Sequence, residues 1–200
     1  TPTRYGILTG TYAWRTPMQA GVLGGEAPSL IRPGTPTIAS VLRAAGYTTA
    51  AFGKWHLGLG KQYPADFTQP FDPSPLEHGF DTFYGIPASL DQPPYVWIDG
   101  NRAVAPPTET VPFTNMRRFG GPGFIRDGLK QPGFDHEQAL PTVVDRAVQW
   151  IESQDGEQPF FLYLPLTAPH TPWLPLPPWD GSTAAGPYGD FAAQVDAALG

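Results

Sequence analysis

The feature that most constrains what this 200-residue sequence can fold into is a helix followed at once by a strand, an order that occurs twice. In the first pair, Thr35 can cap a helix that has Pro36 in its first turn and ends at Gly46. The apolar stripe of this predicted helix consists of Ile38, Val41, Leu42 and Ala45. Residues 47–52 follow as a β-branched and aromatic segment that Gly53 closes, which predicts a strand.

The second pair lies towards the end of the chain. A helix is predicted from Pro141 to Gln154, and one of its faces carries Val144, Ala147, Val148 and Ile151. Residues 159–164 are an almost continuous apolar run, which is typical of a strand buried on both faces. A last helix is expected from near Asp190, with Phe191, Val195 and Leu199 facing inward. This order of elements predicts an α/β protein with a mostly parallel central sheet flanked by helices.

The region between the two pairs, residues 59–141, has little periodicity and is rich in Pro, Gly and Asp, so we expect long loops with short strands. Within it, residues 95–98 followed by Asp99-Gly100 indicate one arm of a hairpin. A short helix is also predicted over residues 2–11. The 26 Pro and 23 Gly residues stand beside 12 Phe, 8 Tyr and 6 Trp, a composition that favours a loop-rich globular chain.

Composition also argues against several classes of protein. The net charge is −6 and no run of Lys or Arg occurs, so binding to nucleic acid or to an anionic membrane surface is not expected. Without Cys, disulfides and thiolate metal sites are impossible. No apolar stretch reaches the roughly 18 residues of a membrane span. We expect a periplasmic or secreted protein rather than a cytoplasmic one, and the oligomeric state stays open.

The segment after the first strand is a candidate ligand site, because ligands of such sheets bind beyond the carboxyl ends of the strands. Lys54 and His56 alternate around Trp55, so in an extended loop they point to the same side. A cation beside an imidazole suits an oxyanion. The alternative is a surface Lys and a His that packs on Trp55.

The other candidate positions are a histidine after the second strand and an arginine near the start of the chain. His170 stands between Pro169 and Pro172, which stiffen its loop, and the alternative is a histidine satisfied by the backbone. Arg4 begins a short helix, where an anion is favoured, and the alternative is an ordinary surface arginine. His78 is expected to hold loop structure, and His136 to be a solvated residue at a helix start.

Four blocks of residues follow one another along the chain. They are Thr1-Pro2-Thr3-Arg4 with Leu8-Thr9-Gly10, Gly46-Tyr-Thr-Thr with Gly53-Lys-Trp-His-Leu-Gly58, His78-Gly-Phe-Asp81 with Phe83-Tyr-Gly-Ile-Pro87, and Pro159-Phe-Phe-Leu-Tyr-Leu with Pro169-His-Thr-Pro172. This succession resembles the sulfatase family, in particular the arylsulfatase-like, formylglycine-dependent members of the alkaline phosphatase superfamily. In that family a Cys or Ser just before the first block becomes formylglycine, the nucleophile. The resemblance therefore implies that residues 1–200 are part of a single sulfatase catalytic domain whose N-terminal and C-terminal portions are missing.

The resemblance also implies roles for individual residues. Arg4 would hold the formylglycine hydrate, Lys54 would bind the sulfate, and His56 would contact a formylglycine hydroxyl and assist the release of sulfate. His170 would bind the sulfate near the leaving oxygen and help to protonate it. Ser89 resembles a serine that lines this pocket in some members. These positions make Arg4, Lys54, His56 and His170 the predicted catalytic residues, and Lys54, His170 and Ser89 the predicted substrate-binding ones.

The family's usual metal, calcium (Ca2+), is implied as well, but its ligands are expected outside this stretch. The family's Asp-Asp pair precedes the nucleophile, and its Asp-Asn pair and a second sulfate-binding Lys follow later. The implied activity is hydrolysis of an aryl sulfate or of a sulfated carbohydrate, on which Tyr95, Trp97 or Trp173 could stack. The alternatives are a phosphonate monoester hydrolase or phosphodiesterase of the same superfamily, and a non-catalytic sulfoglycan-binding relative.

Overall fold

The computed structural model describes residues 1–115 and 123–200, so residues 116–122 of the predicted loop region lie outside the described residues. Its helices are α1 (Pro2–Thr9), α2 (Ile38–Ala44), α3 (Ala139–Glu152) and α4 (Gly186–Leu199), with a 3-10 helix at Ala13–Arg15. Its strands are β1 (Thr48–Lys54), β2 (Thr82–Ile86), β3 (Ile98–Asp99), β4 (Arg102–Ala103), β5 (Glu109–Val111), β6 (Thr114–Asn115), β7 (Phe124–Ile125), β8 (Gly128–Lys130) and β9 (Phe160–Tyr163). Within these residues, no helix is long and apolar enough to cross a membrane.

A five-stranded sheet in the order β4-β3-β2-β1-β9 forms the centre of the fold. Strand β1 pairs in parallel with β2 on one side and with β9 on the other, while β3 and β4 continue the sheet in antiparallel fashion. The short strands form two antiparallel pairs apart from the sheet, β5 with β8 and β6 with β7. The predicted α/β fold with a mostly parallel sheet is confirmed.

The two faces of the sheet bury two separate cores. Because side chains alternate along β1, Ala50 and Phe52 face α3 and α4, whereas Ala51 faces α1 and α2. Strand β2 alternates in the same way, with Tyr84 on the first face and Phe83 on the second. The strand order and this alternation place β1 between two apolar layers, so its carboxyl end is held from both sides.

The predicted apolar stripe of the first helix is wrong. The N-cap is Thr37 rather than Thr35, because the Thr37 hydroxyl accepts a hydrogen bond from the Ser40 N–H and donates one to the carbonyl oxygen of His78. Ala39 faces inward, and Ile38 and Val41 are exposed. The hydrogen bond from Thr37 to His78, 41 positions away, fixes the start of α2 to another part of the chain.

Three other predicted faces also differ from the structure. Helix α3 begins at Ala139, so it buries Ala139, Leu140, Val143 and Ala147 and exposes Val148 and Ile151. Helix α4 begins at Gly186 rather than Asp190; it buries Phe191, packs Val195 partly against the core and exposes Leu199. In β9, Leu162 packs against one core and Phe161 and Tyr163 against the other, but all three are only partly buried and Phe160 is exposed. Among the described residues β9 pairs with β1 alone.

The predicted hairpin is confirmed at its turn, but its first strand is Ile98–Asp99 rather than residues 95–98, and strand β2 was not predicted. β3 and β4 form the hairpin around Gly100, which has a positive φ of 58°. Gly85 is the fourth of the five residues of β2 and weakens its strand signal in the sequence. A methyl group at Gly85 would overlap the carbonyl oxygen of Gly53 on β1, so this glycine permits the close approach of the two strands.

Candidate active site

Lys54 is the last residue of β1 and is buried, although lysine is rarely a core residue. Its backbone N–H donates to the carbonyl oxygen of Pro165, 2.9 Å away, and its ammonium group donates to the Ser89 hydroxyl. Burial and the nearby charge of Arg4 lower the pKa of Lys54 to about 8, while Asp91 opposes that shift. At neutral pH this buried side chain still carries its charge.

His56 lies two residues further on, with a positive φ of 56°, and is buried as well. Its Nε2–H donates to the carbonyl oxygen of Leu23 at 2.8 Å, because a carbonyl can only accept. The other ring nitrogen, Nδ1, is buried without a hydrogen-bond partner. Burial and the charge of Lys54 lower the pKa of His56 to about 3, so the ring is neutral and Nδ1 is an acceptor.

Trp55, between these two residues, fixes the loop from the opposite face of the sheet. It is fully buried, and its indole N–H donates to the Gly58 carbonyl oxygen at 2.9 Å. Its ring stacks on His78, whose Nε2 lies 3.0 Å from the Ser29 hydroxyl. The prediction that His78 holds loop structure is confirmed, and the opposite directions of Trp55 and its neighbours keep Lys54 and His56 together.

Arg4 and Thr1 close the site from the start of α1. The Arg4 side chain donates to the carbonyl oxygen of Lys54 at 3.0 Å and to that of Leu166 at 3.5 Å, which ties β1 to the segment after β9. Thr1 is buried, and its hydroxyl accepts from the Leu23 N–H at 3.0 Å. The charges of Arg4 and Lys54 both act on the main-chain nitrogen of Thr1, so the two cations lie near the start of α1.

A turn after β2 contributes Ser89 and Asp91. The Gln92 N–H donates to the Ser89 carbonyl oxygen at 3.0 Å and closes the turn. Ser89 contacts Lys54, and the buried Asp91 accepts from Arg126 Nη1 at 2.6 Å. One short turn therefore connects Lys54 to the ion pair between Asp91 and Arg126, whose members are 35 residues apart in the chain.

His170 lies on the segment after β9 and keeps 49% of its side chain exposed. Its Nδ1–H donates to the carbonyl oxygen of Thr171 at 2.7 Å. The same nitrogen lies 3.6 Å from Asp91 Oδ1. His170 is therefore joined to the Lys54 cluster through the turn that carries Asp91 and Ser89.

The structure thus gathers Arg4, Lys54, His56 and Ser89, and joins His170 to them through Asp91. The sequence did not single out Asp91, Arg126 or Leu23. Asp91 comes soon after β2, and the strand-end rule that found Lys54 and His170 would have found it if β2 had been predicted.

Two other predictions from the sequence are wrong. Tyr95 and Trp97 are buried in the core, so neither is available to stack on a sugar. His136 is not a solvated residue, because it packs against the rings of Tyr95 and Phe134, and burial lowers its pKa to about 4. Trp173 is half-buried and packs on Tyr188, with ring centroids 5.2 Å apart, and its contact with a substrate stays a prediction.

Comparison with known proteins agrees with the four ordered blocks. The model of the Sulfatase family matches residues 1–200. The chain belongs to the sulfatase family. This sulfatase chain is 29% identical to an N-acetylgalactosamine-6-O-sulfatase of Bacteroides thetaiotaomicron over 229 residues, a match that covers 100% of the chain and 44% of that relative. It is 32% identical to arylsulfatase A of Bos taurus over 210 residues, with 100% and 38% covered.

Solved structures show the same fold. A sulfatase structure from work on glycosaminoglycan metabolism by Bacteroides thetaiotaomicron superposes with a TM-score of 0.86 at 28% identity, covering all of this chain and 47% of that one. The PsFucS1 sulfatase from Pseudoalteromonas sp. superposes with a TM-score of 0.66 at 22% identity, covering 99% and 40% of the two chains, and shows the fold alone. The sulfatase chain spans less than half the length of the curated relatives it matches.

Proposed function

We propose that residues 1–200 are part of a single sulfatase catalytic domain that hydrolyses a sulfate ester. One observation carries this proposal: a charged, buried Lys54 lies beside a neutral His56 whose Nδ1 has no partner, and both neighbour the Thr1 nitrogen. A buried cation and an unpaired acceptor are both costly in a protein interior. An anionic ligand and a hydroxyl donor would satisfy them.

Lys54 is the residue that we assign to the sulfate. Cleavage of a sulfate ester moves negative charge onto the bridging oxygen and leaves charge on the sulfuryl oxygens. A lysine that is held by Ser89 and shielded from water stabilises such charge far more than an exposed lysine would. Ser89 in turn orients the ammonium group, so its assigned role in substrate binding acts through Lys54.

His56 is assigned to proton transfer at the residue that precedes Thr1. A formylglycine at that position would supply an aldehyde hydrate as the nucleophile. The orphaned Nδ1 of His56 fits such a group, because a hydroxyl there would give the buried nitrogen its missing donor. Nδ1 can accept a proton from a hydroxyl, while the Leu23 carbonyl oxygen keeps the ring oriented through Nε2.

Arg4 and His170 complete the assignment. Arg4 adds positive charge next to the Thr1 nitrogen and braces the Lys54 backbone. His170 is exposed and has its Nδ1–H engaged by Thr171, so Nε2 is the nitrogen that meets the substrate. We assign it to the leaving oxygen, which must gain a proton when it departs as an alcohol.

Calcium is expected from the family, but residues of this stretch do not fit it. Within residues 1–115 and 123–200, no group of three or more His, Asp or Glu side chains is placed to hold a metal ion. The side chains around Lys54 are cationic or neutral, apart from Asp91, which pairs with Arg126. Any calcium ligands are therefore predicted outside residues 1–200, and the steps above use none.

The proposed substrate is a sulfate monoester of a carbohydrate. The N-acetylgalactosamine-6-O-sulfatase of Bacteroides thetaiotaomicron and the N-acetylgalactosamine-6-sulfatase of Homo sapiens, 28% identical to this chain, are both named for such a substrate. The similarity to arylsulfatase A keeps a simple aryl sulfate as a practical assay substrate. A periplasmic or secreted location is proposed with this substrate, since sulfated glycans occur outside cells.

The test compares the full-length enzyme on three substrates: an aryl sulfate, a sulfated N-acetylgalactosamine, and an aryl phosphonate. We expect turnover of the sulfates and at least tenfold lower kcat/KM on the phosphonate. Faster phosphonate turnover would assign the chain to the related hydrolases. Binding of the sulfated sugar without turnover of any substrate, together with Ala or Gly before Thr1, would make it a binding protein.

A further inference from the structure

Asp91 is a buried carboxylate that the proposed mechanism does not use. Its side chain is only 6% exposed, and Arg126 binds one of its two carboxylate oxygens. Arg126 Nη1 donates to Asp91 Oδ2 at 2.6 Å and to the Asp91 main-chain carbonyl oxygen at 3.0 Å. The second carboxylate oxygen, Oδ1, is buried and has no hydrogen-bond partner. A buried anionic oxygen without a partner calls for an explanation.

His170 is the neighbour that can account for the unpaired Asp91 Oδ1. Asp91 Oδ1 lies 3.6 Å from His170 Nδ1, just beyond hydrogen-bond length, and the same nitrogen donates to the Thr171 carbonyl oxygen at 2.7 Å. Both neighbours of Nδ1 are acceptors, so both favour the tautomer that carries its proton on Nδ1. In that tautomer the free electron pair is on Nε2.

We propose that Asp91 is a positioning residue for His170: together with the Thr171 carbonyl oxygen, it keeps the proton on Nδ1 and reserves Nε2 for the leaving oxygen of the substrate. This inference rests on the proposed function of His170. As an oxygen nucleophile bonds to sulfur, the S–O bond to the bridging oxygen breaks and its electron pair goes to that oxygen. The ring, which has taken up a proton on Nε2 from solvent before this step, passes that proton to the oxygen and returns to the neutral tautomer that Asp91 and Thr171 hold.

The turn that carries Asp91 also links Lys54 to His170. Ser89 and Asp91 belong to one turn, which the hydrogen bond from Gln92 closes. Ser89 contacts Lys54, and Asp91 faces His170. The turn therefore sets the separation between the residue that holds the sulfate and the residue that meets the leaving oxygen, a distance on which in-line chemistry depends strongly.

The competing explanation is that Asp91 only braces Arg126. A double-mutant cycle separates the two explanations. In the full-length enzyme, Asp91→Asn should lower kcat on a sulfated sugar by roughly 10- to 100-fold with little change in KM, the size of effect seen when a group that orients a functional histidine is lost. In a His170→Ala background the same change should cost less than about threefold. Asp99→Asn, at an exposed aspartate of β3, is the matched control and should leave kcat unchanged.

Nuclear magnetic resonance of 15N-labelled histidine rings tests the tautomer directly, without reference to activity. His170, assigned by its loss in His170→Gln, should carry its proton on Nδ1 when neutral, and its ring shifts should move in Asp91→Asn. Equal losses from Asp91→Asn in both backgrounds, or an Nε2–H tautomer in the wild type, would overturn the proposal. If the wild type turned over no sulfate ester, the proposed function would fail, while the ring shifts would still decide the role of Asp91.

Discussion

His56 and His170 follow neighbouring parallel strands, β1 and β9, yet they offer opposite ring nitrogens in opposite surroundings. His56 is buried and anchored through Nε2 on the Leu23 carbonyl oxygen, which leaves Nδ1 inside the protein. His170 is half exposed and anchored through Nδ1 on the Thr171 carbonyl oxygen, which leaves Nε2. Each histidine is fixed by a main-chain carbonyl, and that bond decides which nitrogen can act.

The contrast follows from the position of the two strands in the sheet. β1 has a strand on each side and an apolar core on each face, so the segment after it is held in a dry interior. Among the described residues β9 pairs with β1 alone, and His170 beyond it keeps 49% of its side chain exposed. We infer that the β1 end holds charge, because a low dielectric strengthens charge interactions there, and that His170 acts from the more exposed side of the site.

The largest expected loss comes from Lys54, on the buried side. In the full-length enzyme, Lys54→Ala should lower kcat/KM for a sulfate ester by roughly 10³-fold, because it removes the buried cation assigned to the sulfate. Lys61→Ala is the matched control, since Lys61 is an exposed lysine paired with Asp72. Thermal unfolding should show both variants folded. Wild-type turnover in Lys54→Ala would contradict the assignment.

Alanine variants of the two histidines should differ in whether they can be rescued. His56→Ala should cost roughly 10²–10³-fold in kcat and His170→Ala roughly 10²-fold, the range for a lost acid or base. Added imidazole should restore part of the activity of His170→Ala, because that position opens to solvent, but not that of His56→Ala. Rescue of His56→Ala but not of His170→Ala would contradict the placement of His56 in the buried part of the site and His170 in the exposed part.

The pH profile should report the buried lysine. Burial lowers the pKa of Lys54 to about 8, so kcat/KM should fall about tenfold per pH unit above that value as the charge is lost. Lys54→Arg should abolish this alkaline limb, even at a lower overall rate, because a guanidinium stays charged. An unchanged limb in Lys54→Arg would show that another group controls it.

The smallest effect concerns stability in acid. Burial lowers the pKa of His56 to about 3 and that of His78 to about 4, against 6.5 for an ordinary histidine. Between about pH 4 and 6.5 the unfolded chain therefore binds more protons than the native one, and the free energy of unfolding falls as the pH drops. Each histidine should contribute roughly 1.4 kcal/mol per pH unit.

Urea unfolding at pH 7 and at pH 5 measures this dependence. His78→Gln should remove the contribution of one histidine and so flatten the dependence, with the variant compared with wild type at both pH values. If the free energy of unfolding of His78→Gln fell as steeply with pH as that of wild type, His78 would take up its proton in the folded protein without unfolding it.

The order of elements and the four motif blocks were enough to predict the α/β fold, the family, and the positions of Lys54, His56 and His170 at strand ends. Helix faces were not predictable, because the Thr37 hydroxyl binds the His78 carbonyl oxygen, and this distant contact decides where α2 begins. Asp91 was missed for a similar reason. Its partners, Arg126 and His170, are remote in sequence, and Gly85 weakens the sequence signal of the preceding strand.

The most direct test is a crystal structure of the full-length enzyme with sulfate bound. The account predicts a sulfate with oxygens within hydrogen-bond distance of Lys54 Nζ and His170 Nε2, and a side chain before Thr1 that donates to His56 Nδ1. A sulfate bound elsewhere, or one that meets His170 through Nδ1, would contradict the division of the site into a buried side and an open side.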